Sequence, residues 1–129
     1  MRAASARLRA GARGADLSHA KRLGDAGETA AAAFLESLGY RILVRNLRGP
    51  GGEIDIVARD GDTIVFVEVK ARTSHRFGSA LGAVDARKRA RIRRVAADYL
   101  QFVAPQARAR FDVLTYDGPE PRLHRNAFS

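Results

Sequence analysis

The sequence predicts an α/β domain in which a mixed sheet is flanked by helices. Three observations predict it: two segments with helical periodicity, several strand-like segments, and the order helix, three strands, helix, strand. With 129 residues, 46% of them hydrophobic, the chain suits one domain around a single core and is too apolar for overall disorder. Residues 1–18, MRAASARLRAGARGADLS, carry four Arg and one Asp and lack core-forming residues, so they are expected to form a basic disordered tail on a domain spanning 19–129.

Composition narrows the function. Lys and Arg number 23 against 14 Asp and Glu, a net charge of +9, which favours polyanionic partners and above all nucleic acid. Without cysteine there is no disulfide framework or thiolate zinc site, and His19, His75 and His124 are scattered. No apolar run approaches the roughly 20 residues of a bilayer span, and no signal-peptide core follows the N-terminus. A soluble, cytoplasmic protein with no membrane partner is expected.

The first helix is read from His19, in HAKRLGDAGETAAAAFLESLG, with Ser18 or His19 near its start and Gly39 as its C-terminal stop. Gly24, Glu28, Ala31, Leu35 and Leu38 fall on one stripe, so Glu28 either points inward or sits solvated at the stripe's edge. YRILVRNLR, 40–48, alternates as a first strand, and RGPGG, 48–52, is a turn.

Two β-rich runs follow in GGEIDIVARDGDTIVFVEVKAR, 51–72. Asp60-Gly61 between them signals a two-residue hairpin turn, which would set Arg59 opposite Asp62, Asp55 opposite Phe66 and Glu53 opposite Glu68. Directly opposed residues share a face, so Asp55, Glu68 and Lys70 emerge together with Val57, Ile64 and Phe66, while Ile54, Ile56, Val65, Val67 and Val69 line the other face. Asp55 and Glu68 are then diagonal neighbours about 7–8 Å apart, close enough to share a cation. Any one of these residues alone is explained by a surface salt bridge worth under about 1 kcal/mol. The grouping of Glu53, Asp55 and Glu68 on a partly buried face is not, because like charges there repel without a counter-ion. Oxygen-only donors favour Mg²⁺ or Mn²⁺, and a neighbouring lysine suits chemistry on a phosphate.

SALGAVDARKRARIRRVAADYLQFV, 79–103, reads as the second helix, with Val84, Lys88, Ile92, Val95, Tyr99 and Val103 near one face. Arg87, Arg89, Arg93 and Arg94 lie largely elsewhere, as a phosphate-binding or merely solvated face. Lys88 either extends toward the carboxylates or snorkels out. RFDVLTYD, 110–117, is the fourth strand, and 122–128 adds an edge segment.

GDAGETAAAAFLESLGYRILVRN, GGEIDIVARDGDTIVFVEVKAR, RFG at 76–78, the helix bearing Lys88, and RFDVLTY together resemble the PD-(D/E)xK nuclease superfamily, which includes restriction endonucleases and archaeal Holliday junction resolvases. More narrowly they resemble the YraN family of bacterial endonuclease-like proteins. The likeness covers nearly everything after the tail, with one departure: Ile54 rather than proline precedes Asp55. It implies a restriction-endonuclease-like αβββαβ core. It also implies a Mg²⁺- or Mn²⁺-dependent nuclease acting on DNA, including branched or structured DNA, in which Asp55, Glu68 and Lys70 are catalytic. Asp55, Glu68 and the Val69 carbonyl would hold the metal, with Glu28 as an additional or water-mediated ligand and Glu53 as an accessory carboxylate. Lys88, Arg87, Arg89 and Arg93 would bind nucleic acid. A non-catalytic nucleic-acid-binding protein on the same fold is the alternative, and the sequence leaves a homodimer open.

Overall fold

The computed structural model describes residues 9–10, 17–71, 86–116 and 118–129. Most of the expected tail, the RFG segment and the first turns of the expected second helix, with Val84, lie outside the described residues. The elements are β1 (Arg9–Ala10), α1 (Leu17–Ser37), β2 (Arg41–Gly49), β3 (Gly52–Asp60), β4 (Thr63–Ala71), α2 (Ala86–Val103), β5 (Arg108–Tyr116) and β6 (Pro121–Phe128). They form one mixed sheet in the order β1-β2-β3-β4-β5-β6, antiparallel throughout except between β4 and β5. The parallel pair requires a long crossover, which runs through α2. Five strands of eight or nine residues carry the sheet, and the two-residue β1, inside the segment read as a tail, adds an edge. Among the described residues no helix is long and apolar enough to cross a membrane.

The two sheet faces bury separate clusters. Ala31, Ala32 and Leu35 of α1 pack with Tyr40, Ile56, Ala58, Val65, Val67, Val69 and Leu114 on one face. Ile92, Val95, Ala96 and Tyr99 of α2 pack with Leu47, Ile54, Val57, Ile64, Phe66, Val113 and Phe128 on the other. β4 is thus covered on both faces, which is why TIVFV reads as a continuous apolar run instead of alternating. α1 ends as its glycine predicts: the Tyr40 N–H bonds the Leu35 carbonyl at 3.1 Å, the Gly39 N–H bonds that of Glu36 at 2.9 Å, and Gly39 takes φ +97°. Leu38 and Val103, placed on apolar stripes by periodicity, are exposed instead, because each lies where its helix stops and the stripe no longer faces the sheet.

The β3–β4 turn differs from expectation by one residue. Asp60 pairs with Thr63, so the central residues are Gly61 and Asp62, and Gly61 at φ +62° occupies the first position, where a type II′ turn calls for glycine. The register therefore moves by two residues, giving Val57↔Phe66 and Ile56↔Val67. An even shift preserves faces. One residue does change sides: Ile54 packs in the α2 cluster while Ile56 packs in the α1 cluster. Beside them β2 passes through Asn46 at φ +55°, between the Arg45↔Ile56 and Leu47↔Ile54 pairs, and this left-handed residue breaks the period of two.

A polar cluster lies near the hairpin end, among residues of the α1 face. Tyr40 Oη donates to Asp112 Oδ2 at 2.9 Å, and Arg110 donates to Asp112, Tyr40 Oη and Asp60 at 3.0, 2.6 and 2.9 Å. The Asn126 N–H completes the shell of Asp112, which is fully buried, at 2.9 Å. Sequence reading missed this group because its members are far apart in the chain, Tyr40 and Asp112 by 72 residues.

Two outcomes follow from this packing. A Cβ on Gly52 would lie 3.1 Å from the Arg91 carbonyl oxygen and 3.3 Å from Val95 Cγ2, so Gly52→Val should lower unfolding free energy in urea by about 1–3 kcal/mol; an unchanged midpoint would mean α2 lifts away freely. The chain's three tyrosines are all held above the ordinary phenol pKa, Tyr40, Tyr99 and Tyr116 each first by burial and Tyr40 also by Asp112. Their stabilising effect is complete below the unfolded phenol value and is lost as pH rises toward the folded one. Phenolate absorbance should therefore appear at higher pH in the native protein than in urea, and coincident curves would refute it.

Candidate functional site

Glu68 and Lys70 lie near the C-terminal end of β4, the strand that enters the parallel pair, where crevices in α/β sheets commonly bind ligands. Their side chains share the α2 side of the sheet with Ile64 and Phe66, as strand alternation requires. The ladder between β3 and β4 ends at Ile56↔Val67. Beyond it the Val69 N–H donates to Asp55 Oδ2 at 2.8 Å, so a side-chain carboxylate takes the place of a ladder carbonyl and fixes Asp55 against β4.

Glu68 is only 3% exposed, and a carboxylate so buried needs compensating charge. It has two ammonium neighbours: Lys88 Nζ, from the first turn of α2, at 2.6 Å, and Lys70 Nζ at 3.4 Å. Burial alone would lower the Lys88 pKa. The charge of Glu68, the hydrogen bond to it and the charge of Asp55 outweigh it and hold Lys88 above the ordinary lysine value. Asp55, Glu68, Lys70 and Lys88 thus form one electrostatic cluster. Of the two sequence-based possibilities for Lys88, the structure takes the inward one.

Glu28 has another role. Its Oε1 accepts from Asn46 Nδ2 at 3.0 Å and from Arg45 Nη2 at 3.3 Å, so it anchors α1 to the left-handed residue of β2. Glu53, its side chain only 8% exposed, lies 3.9 Å from Arg48. Among the described residues, no three His, Cys, Asp or Glu side chains gather closely enough to enclose a metal ion. The pair Asp55 and Glu68, with the Val69 carbonyl next along the strand, nonetheless supplies the hard oxygen donors that suit Mg²⁺ or Mn²⁺. The partly exposed Lys88 ammonium, 2.6 Å from Glu68 and stabilised also by the charge of Asp55, occupies a location that favours a cation.

The arginines of α2 divide. Arg87 is exposed, as are Arg91 and Arg94. Arg93 is exposed but donates to the Ser129 carbonyl at 2.9 Å, and Arg89 stacks over the Phe128 ring at 5.5 Å, so both also tie α2 to the end of β6. Sequence reasoning did not single out Arg91, or Asn46, whose tolerance of left-handed backbone was the available signal. It also missed Thr115, which lies beside Lys70 in register and meets His124 Nε2 at 3.0 Å.

Residues 27–115 match the uncharacterised protein family UPF0102. The chain belongs to the UPF0102 family. A UPF0102 protein of Symbiobacterium thermophilum is 46% identical over 114 residues, covering 84% of this chain and 97% of that protein. One from Moorella thermoacetica is 55% identical over 95 residues, 73% of this chain and 79% of that protein. A third, from Syntrophus aciditrophicus, is 53% identical over 112 residues, 83% and 88% of the two chains. These matches bear out the YraN-family resemblance at the level of UPF0102, and they name a family, not an activity.

The charge balance of the cluster is testable. Glu68→Gln leaves two ammonium groups together without their nearest anion, and should cost about 2 kcal/mol, the scale of a charge-assisted hydrogen bond. Adding Lys88→Met should recover part of that loss. Additive effects in denaturant unfolding would show that the two side chains are not coupled.

Proposed function

We propose that this UPF0102 protein is a Mg²⁺- or Mn²⁺-dependent nuclease of the PD-(D/E)xK kind, hydrolysing phosphodiester bonds in DNA, with branched or structured DNA among the candidate substrates. The observation that carries the reading is the convergence of Asp55, Glu68 and Lys70 where β3 and β4 part, beside the first turn of α2. The net charge of +9 and the exposed Arg87, Arg91 and Arg94 support a polyanionic substrate. The αβββαβ order of α1, β2–β4, α2 and β5 agrees with the restriction-endonuclease-like core that the resemblance implies.

In this reading Asp55, Glu68 and the Val69 carbonyl hold the metal. When bound, it polarises the phosphate and favours deprotonation of water. Lys70, tethered beside Glu68, orients the attacking water and offsets negative charge building on the non-bridging phosphate oxygens. Water oxygen loses a proton to solvent and forms a bond to phosphorus, the bond to the departing deoxyribose oxygen breaks, and that oxygen takes up a proton. Glu28 acts at a distance, by holding β2 at Asn46 beside Asp55.

A second reading, a non-catalytic nucleic-acid-binding protein on the same fold, is favoured by one observation: Lys88 already neutralises Glu68, so the cluster is stable as a purely structural ion pair. Cleavage assays separate the two. Purified protein is incubated with branched, single-stranded and duplex DNA and with RNA, in Mg²⁺, Mn²⁺ or chelator. Wild type should cut a substrate only with metal, and Lys70→Ala should lose at least about a hundredfold in rate, the usual scale for a charge-stabilising group, with binding close to wild type. Equal cleavage by both proteins would remove Lys70 from the mechanism, and binding without cleavage on every substrate would favour the second reading.

A further inference from the structure

Glu68 is met by two ammonium groups of unlike origin. Lys70 belongs to the same strand, two residues along, and its side chain is 15% exposed. Lys88 reaches in from α2, makes the shorter contact at 2.6 Å, and is 23% exposed. With Asp55 nearby, the cluster holds two carboxylates and two ammonium groups and is close to electrically neutral. A divalent ion added to that arrangement would bring two uncompensated positive charges into a poorly solvated end of the sheet, where like charges repel strongly. Removing one lysine halves the excess. The two side chains have the same four-carbon stem, but Lys88 is the more exposed and belongs to a different element from Glu68, so it can leave the carboxylate without disturbing β4.

We propose that Lys88 is a built-in counter-cation: it fills the metal position beside Asp55 and Glu68 in the metal-free protein and withdraws when a divalent ion enters, so that α2 sets the metal affinity of the site. The inference rests on the metal-dependent reading above and deepens it. Lys88 is a positioning residue in this scheme. It keeps the buried Glu68 compensated until metal arrives, and it makes the metal-free cluster stable at the expense of affinity. Met in its place keeps the unbranched stem and removes the charge, whereas Arg keeps a cation.

The test is Mn²⁺ titration of the full-length protein, by calorimetry and by the paramagnetic signal of free Mn²⁺, on wild type, Lys88→Met, Lys88→Arg and Asp55→Asn. Lys88→Met should bind Mn²⁺ at least about tenfold tighter than wild type, equivalent to about 1.4 kcal/mol. Lys88→Arg should bind no tighter than wild type, and Asp55→Asn should bind more weakly. In chelator Lys88→Met should melt below wild type, and Mn²⁺ should raise its midpoint by more. A purely structural lysine would lower the midpoint without tightening metal. Equal or weaker binding by Lys88→Met, alongside saturable wild-type binding that Asp55→Asn loses, would overturn the counter-cation role and leave the metal site standing. Absence of saturable binding in folded wild type and Lys88→Met alike would overturn both. Lys88→Gln, polar and uncharged, gives the same comparison if the methionine variant does not fold.

Discussion

The constraint on which the site depends is the placement of a carboxylate, Glu68, in a strand that is buried on both faces. An anion there is tolerated only with a cation against it, and Lys88 supplies one from a different element. The pairing therefore does more than neutralise charge. It fixes the first turn of α2 over the end of β4, while farther along the helix Val95 and Tyr99 settle over Gly52 and Phe66. Polar anchoring at one end and apolar packing along the rest set the helix in one position, and the exposed arginines follow from that position.

Two aspartates extend the same logic into the backbone. Asp55 accepts the Val69 N–H where the β3–β4 ladder ends, and Asp112 accepts the Asn126 N–H where the β5–β6 register shifts. In each case a carboxylate substitutes for a missing ladder carbonyl, and a left-handed asparagine lies close by, Asn46 near Asp55 and Asn126 at Asp112 itself. Asp112 is enclosed by Tyr40, Arg110 and a backbone donor, so its hydrogen-bonding capacity is spent on structure. Asp55 lies within electrostatic reach of the Lys88 ammonium at the other end of the sheet. The same device is enclosed by hydrogen-bond donors at one end of the molecule and stands beside a lysine at the other.

Much of this was legible in the sequence where a period was at work. The alternation of β3 and β4 assigned the faces of Glu68, Lys70, Val65 and Val67, and it survived a misplaced turn because the resulting shift was even. The stripe of Ile92, Val95 and Tyr99 was equally plain. Legibility failed where a single backbone angle or a long side chain decided the outcome. Alternation broke at the left-handed Asn46 and, on the neighbouring strand, at Ile54, which packs on the α2 face. Periodicity placed Glu28 on a stripe but could not say that Asn46 would claim it, and it could not choose between two directions for the stem of Lys88.

The parallel pairing of β4 and β5 has a consequence for how the chain is made. Until residues 108–116 arrive, one edge of β4 has no neighbour, although its other edge can close early through the short β3–β4 turn. TIVFV is apolar, β-branched and free of charge or proline, the composition that recruits other strands when an edge lies bare. During synthesis, and in any truncation ending near α2, that edge is the place where misassembly between copies would begin. The charges at Glu68 and Lys70, which follow directly after the run, then act as gatekeepers, breaking the segment's self-complementarity before the fold exists to use them.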